Sequence, residues 1–232
     1  MASTRVGLLV FPKVQQLDLT GPYEVFASMP GSAVVLVWKT RDPVVSSTGL
    51  RLQPDVTFSD CPPLDVLCVP GGAGVNALME DDETLAFLRR QAAAARYVTS
   101  VCTGALVLAA AGLLRGRRAT THWASHDLLG RLGAEPVKAR VVIDGNVLSG
   151  GGVTAGIDFA LTLVAEIAGR SEAEAIQLQL EYAPEPPFAA GTPETASPAV
   201  VETVRARGAA LREEREQLVE RVTSSRSARA SA

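Results

Sequence analysis

The chain has 232 residues, 47% of them hydrophobic and 20% charged, which suits one α/β domain with a full core and excludes a disordered or extended protein. A net charge of −3 and a sequence pI near 5.5 leave no cluster of Lys and Arg to neutralise phosphates, so no nucleic acid partner is expected. No apolar run nears the roughly twenty residues that span a bilayer, so no membrane partner is expected either.

The segment Met1 to Val10 carries one Arg and runs into a strand pattern, without the apolar core and small-residue cleavage site of a signal peptide. Three cysteines, Cys61, Cys68 and Cys102, none in C-x-x-C spacing, argue against a disulfide framework and for a reducing, cytoplasmic setting. Arg5 to Phe11 reads as a central parallel strand covered on both faces, stopped by Pro12. The loop Lys13 to Leu19 holds Asp18, and Thr20-Gly21-Pro22 predicts a turn into a helix with Pro at its first position and Glu24 in its first turn. Asp18 can serve that turn or cap that helix. Its position after the first strand also sets it at the edge of an open sheet where ligands bind.

Ala33 to Lys39 reads as a second strand, followed by a turn-rich crossing from Asp42 to Pro54 with Gly49 in a hairpin. Asp65 to Val69 is another buried strand, in which Cys68 reads as packing. It ends at Pro70-Gly71-Gly72, either an ordinary tight turn or a backbone that approaches a ligand, with the Gly72 N–H as a candidate oxyanion donor. Glu80 to Ala95 has the acidic start and apolar spacing of an amphipathic helix.

Tyr97 to Val101 is β-branched and strand-like, and Gly104-Ala105 opens an Ala- and Leu-rich helix. Only Cys102 and Thr103 separate the two, which makes this junction a strand-to-helix elbow. Such a turn lifts one side chain above the sheet edge and aims helix N–H groups at it, a setting that lowers a thiol pKa. Cys102 is the candidate nucleophile, with packing as a small hydrophobe the alternative. After Gly112, His122 and His126 stand four apart, but Trp123 occupies the acid position of H-E-x-x-H and no further ligand is near, so no metal is expected.

Val141 to Asp144 and Val147-Leu148 flank the hairpin turn Asp144-Gly145-Asn146. Gly150-Gly151-Gly152-Val153 then precedes a helix from Ile157 to Ala168. This is neither the pattern nor the place of a dinucleotide fingerprint, which leaves Gly151 and Val153 as backbone donors toward a reacting centre. Glu172 to Leu180 reads as a helix, Tyr182 to Pro198 as an extended five-proline surface segment, and Ala199 to Val222 as an exposed helix with a narrow apolar stripe. The expected organisation is one α/β domain over 1–198 that includes the proline-rich 182–198. A helix over 199–223 packs on that domain or on a dimer partner, and a disordered tail spans 224–232.

Four stretches carry a resemblance over nearly the whole chain: Gln15 to Pro22, Thr99 to Gly104, Ala119 to Ala124 and Gly150 to Ala160, with Gln177 to Pro184 in support. With the Pro-Gly-Gly turn they resemble the ThiJ/PfpI superfamily, and within it the enzymes that hydrate isocyanides. The resemblance implies an open, mostly parallel sheet flanked by helices, a flavodoxin-like sandwich with a nucleophile elbow. It also implies a homodimer that needs no cofactor. Many members carry Glu where this chain has Asp18, and many hydrolase-like members carry His where it has Thr103. Asp and Thr together match the isocyanide-hydrating branch.

The implied chemistry is addition of Cys102 to the terminal carbon of a small-molecule isocyanide. A thioimidate forms, and water then releases an N-substituted formamide. One carboxyl beside the sulfur, Asp18, would first supply and later accept a proton, and needs burial to retain that proton near neutral pH. Thr103 is expected to orient Asp18 through its hydroxyl, with Gly72, Gly151 and Val153 as backbone donors. A glyoxalase- or deglycase-like enzyme and a non-catalytic redox sensor oxidised at Cys102 are the alternatives.

Overall fold

The computed structural model describes residues 3–230. The N-terminal apolar run forms β1 (Thr4–Leu9), buried from Val6 onward, and is followed by α1 (Gln16–Ser28) and β2 (Ser32–Trp38). Next come a hairpin of β3 (Val44–Val45) and β4 (Arg51–Leu52), then β5 (Val56–Thr57) and β6 (Val66–Val69). The middle of the chain supplies α2 (Val75–Leu78), α3 (Asp82–Ala92), β7 (Tyr97–Val101), α4 (Gly104–Ala110), β8 (Arg118–Ala119), α5 (His126–Arg131) and β9 (Glu135–Pro136). It closes with β10 (Val141–Asp144), β11 (Val147–Gly150), α6 (Ala155–Ala168), α7 (Arg170–Gln179) and α8 (Pro198–Ala230).

Seven strands form one sheet in the order β10-β11-β7-β6-β1-β2-β5, parallel throughout except for the β10–β11 hairpin at its edge. This is the α/β sandwich that the sequence implies. The connection from β1 to β2 runs one way across the sheet and that from β6 to β7 runs the other. Right-handed crossovers therefore put α1 and α3 on opposite faces. A doubly wound sheet opens a crevice where the winding reverses, beyond the C-terminal ends of its strands. Here the reversal lies between β1 and β6, and α1, the turn after β6 and the elbow after β7 all converge on it. The core beneath is dense with Phe11, Phe26, Phe87 and Phe159, each fully buried. Among the described residues no helix is long and apolar enough to cross a membrane.

Two elements differ from the sequence expectation. Helix α1 begins at Gln16, so Asp18 lies in its first turn and Pro22 lies inside it. The helix tolerates Pro22 because only the bond to the Asp18 carbonyl is forfeited. A partner with no side chain also receives the ring: a Cβ on Gly156 of α6 would meet Pro22 Cδ at 3.0 Å. Helix α8 continues to Ala230, past the expected end at 223 and through most of the expected tail. Residues 224–230 hold no Gly or Pro to stop it. Residues 231–232 of the expected tail lie outside the described residues.

Gly104 fixes the approach of α4 to the sheet. A Cβ there would run into the Val69 carbonyl oxygen and come within 2.8 Å of the Pro70 carbonyl oxygen. Backbone cannot swing aside as a side chain can. Gly104→Ala is thus expected to cost on the order of 3 kcal/mol by overpacking, read as a lower urea midpoint at unchanged slope.

Candidate active site

Cys102 occupies the elbow with φ of 55°, a left-handed conformation that strains a residue with a Cβ. The surroundings hold it there. Its N–H donates to the Gly150 carbonyl at 3.0 Å, and the Thr121 hydroxyl donates to its carbonyl at 2.8 Å. The side chain is only 6% exposed.

Asp18 reaches the same point from α1 and is fully buried, at 0% exposure. Its Oδ2 accepts the Gly71 N–H at 2.9 Å, while Oδ1 has no nitrogen or oxygen partner among the described residues. The Cys102 thiol is the neighbouring titratable group that acts on this carboxyl. Burial pushes the Asp18 pKa up to about 7, against the opposing pull of the Gly71 and Cys102 hydrogen bonds. The protonated form is therefore present near neutral pH.

The thiol departs from the sequence expectation. Burial first, and the Asp18 carboxylate second, push Cys102 well above the usual thiol range, although the Thr103 N–H pulls the other way. The elbow does supply the helix N–H anticipated for it. In a dry site beside a carboxylate, one such dipole does not outweigh desolvation. Cys102 and Asp18 thus form a coupled pair in which the charge on one group suppresses ionisation of the other.

The remaining expected residues gather around this pair in altered roles. The Thr103 hydroxyl accepts the Gly72 N–H at 3.1 Å, so it bonds to the turn after β6 and not to Asp18. The Gly72 N–H is consequently committed to Thr103. Gly151 likewise donates its N–H to the Arg140 carbonyl at 2.9 Å. The Val153 N–H has no partner among the described residues, and Val153 lines the cavity above Cys102.

The backbone group that holds Asp18 belongs to Gly71, the neighbour of the expected donor Gly72. A Cβ on Gly71 would stand 2.6 Å from the Thr103 nitrogen and 2.8 Å from Asp18 Oδ2, so the carboxyl can approach only a glycine. Two adjacent glycines after a strand signal such an approach without saying which N–H is used.

A cavity of about 350 Å³ opens over the sulfur. Cys102, His122 and Val153 form its floor and sides, and Leu211, Arg212 and Arg215 of α8 close it. That wall is invisible to a reading of α8 as an exposed, charge-alternating helix. His122 accepts the Ala124 N–H through Nδ1 at 3.3 Å, and burial, then the Arg215 charge, lowers its pKa. It is a neutral imidazole whose ring proton sits on Nε2. His126 pairs with the Thr120 hydroxyl at 3.2 Å and opens α5, whereas His122 precedes a 3-10 turn, so the two do not share one helix face. Among the described residues no group of three His, Cys, Asp or Glu side chains could hold a metal ion.

The sequence model of the DJ-1/PfpI family matches residues 4–166. An isonitrile hydratase of Pseudomonas putida is 65% identical over 217 residues, covering 94% of this chain and 95% of that protein. A ThiJ/PfpI family protein from Pseudomonas syringae superposes with a TM-score of 0.92 at 44% identity, covering 94% of this chain and 91% of that one. Drosophila melanogaster DJ-1beta shares the fold, with a TM-score of 0.71 at 24% identity over 77% of this chain and 98% of its own.

Proposed function

Starting from a chain that belongs to the DJ-1/PfpI family, we propose that it is an isocyanide hydratase, a lyase that adds water to R–N≡C and releases R–NH–CHO. The observation that carries this reading is a fully buried carboxyl, its pKa pushed up to about 7, set against a buried thiol that is followed by Thr103 where a His-paired thiol would have its imidazole. The 65% identity to an isonitrile hydratase supports it.

An isocyanide carbon accepts a nucleophile yet keeps a lone pair that must be protonated. The site suits both needs. With its proton on Asp18, the Cys102 thiolate forms a bond to the terminal carbon while that carbon's lone pair takes the Asp18 proton, giving a thioimidate and a carboxylate. Water then adds across the C=N bond, oxygen to carbon and hydrogen to nitrogen. As the carbonyl forms, the hydroxyl proton passes to Asp18, the C–S bond breaks and its electron pair returns to sulfur. The cycle restores both groups and uses no cofactor. Thr103 holds the turn that carries Gly71, and through Gly71 the carboxyl. The Val153 N–H is available to a charge developing on the sulfur.

A homodimer and a cytoplasmic location belong to the same proposal. Three unpaired cysteines support the location, and light scattering reads the assembly state. The direct test supplies purified protein with an aryl and an alkyl isocyanide and follows the formyl proton by NMR, with methylglyoxal in a parallel reaction. Formamide from either isocyanide, with methylglyoxal untouched, is the expected result. Consumption of methylglyoxal alone would turn the reading to a glyoxalase. Inertness to all three, with reversible oxidation of Cys102 at low peroxide, would turn it to a sensor.

A further inference from the structure

Arg215 is a cation enclosed without an anion. It is 6% exposed. Its Nε donates to Asn76 Oδ1 at 2.8 Å and its Nη1 to Ser125 Oγ at 3.2 Å, both neutral groups. No carboxylate forms an ion pair with it among the described residues. The neighbouring Arg212 differs: its charge is bound to Asp127 and Glu216. An unpaired buried charge is unfavourable by several kcal/mol in general, and the polar side chains around Arg215 orient the guanidinium without neutralising it.

The cavity contains one group able to balance that charge. Of its lining residues none is Asp or Glu, and Cys102 alone can become an anion. The titratable and charged groups around the sulfur lie in three directions. Asp18 from α1 opposes its ionisation, the neutral His122 lies on the side wall, and Arg212 and Arg215 lie on α8. Glu214 acts on Arg215 only along its own helix. Arg215 is thus the free positive charge in a cavity whose chemistry needs a sulfur anion.

We propose that the Arg215 guanidinium is the counter-charge of the Cys102 thiolate, favouring the state with the proton on Asp18 over the state with the proton on sulfur. Resting on the hydratase reading, it then acts twice in a turnover: before the S–C bond forms, and again when that bond breaks and the electron pair returns to sulfur. It works through Cys102 as a positioning residue for charge. No established role of the elbow or of the Asp18 pair requires a residue on α8.

The test reads the sulfur directly. Wild type, Arg215→Met and Arg215→Lys are alkylated with iodoacetamide across a range of pH, and the modification of Cys102 is followed by peptide mass spectrometry, which separates it from Cys61 and Cys68. The Met variant should move the midpoint of Cys102 alkylation up by about one pH unit or more, and lower kcat with an isocyanide about tenfold with little change in KM. Lys, which keeps the charge, should hold the midpoint near that of the wild type. Thermal melts accompany each variant. Met in place of an unpaired buried charge is expected to leave Tm unchanged or raise it, and if Met fails to fold the Lys arm still decides.

An unmoved midpoint in folded Arg215→Met overturns the proposal. So does a Lys variant whose midpoint rises as the Met variant's is expected to, or a loss confined to KM for isocyanides that carry a carboxylate. A shifted midpoint in a protein that turns over no isocyanide upholds the role of Arg215 toward the sulfur and refutes the hydratase reading instead.

Discussion

Cys102→Ala is expected to lower formamide formation by about four orders of magnitude or more, since every covalent step passes through that sulfur. The other cavity groups are engaged elsewhere: Thr103 is tied to Gly72, Ser47 Oγ donates to the Lys13 carbonyl, Ser125 Oγ accepts from Arg215, and the His122 Nδ1 is occupied by the Ala124 N–H. The check is single-turnover formamide yield, with mass spectrometry of the quenched protein. A thioimidate adduct should accumulate on the wild type and be absent from the variant. Alanine retains the strained φ of 55° and should fold normally. Cys102→Gly, equally inactive, relieves the left-handed strain and should raise Tm. Residual turnover in either variant within tenfold of the wild type would remove Cys102 from the mechanism.

Asp18→Asn is the second large effect, expected at about 10² to 10⁴ in kcat. Asn can still accept the Gly71 N–H but cannot hand over a proton. The pH dependence has a definite sign. With its pKa near 7, Asp18 is protonated below that value and charged above it, so wild-type kcat should fall as pH rises through about 7, and the Asn variant should lack that limb.

Stability follows the same group. The folded protein holds this proton up to about 7, whereas an unfolded Asp releases it near 3.8. Between those values the native state binds more protons than the unfolded one, and stability declines as pH rises. Asn removes the decline. Urea midpoints at pH 5 and pH 8 should differ less in Asp18→Asn than in the wild type, and a wild-type midpoint that rises over this window would refute the burial argument.

The elbow was legible because its two halves prefer different backbones: Tyr97 to Val101 is β-branched and the residues after Gly104 are helix formers. The sheet was legible for a similar reason, as continuous apolar runs mark strands covered on both faces. The sequence marks Asp18 but reads it as a loop residue, because Pro22 reads as a helix start when nothing in the local pattern reveals the hollow at Gly156 that receives its ring. The Thr103 bond to Gly72 and the Gly71 bond to Asp18 span 31 and 53 residues, distances at which composition carries no pairing information. Arg215 was the least legible of all. It sits in a run where Arg and Glu alternate, and only the packing of α8 against α2 and α5 separates it from its solvated neighbours.

Because α8 forms the outer wall of the cavity, the reactive centre is completed last when the protein is made. A nascent chain with residues 1–197 free of the ribosome already contains every strand of the sheet, the elbow and Asp18. Its sulfur still faces bulk water and whatever oxidants the water holds. Translation of α8 closes the cavity over the thiol and brings in Arg215 in one docking event.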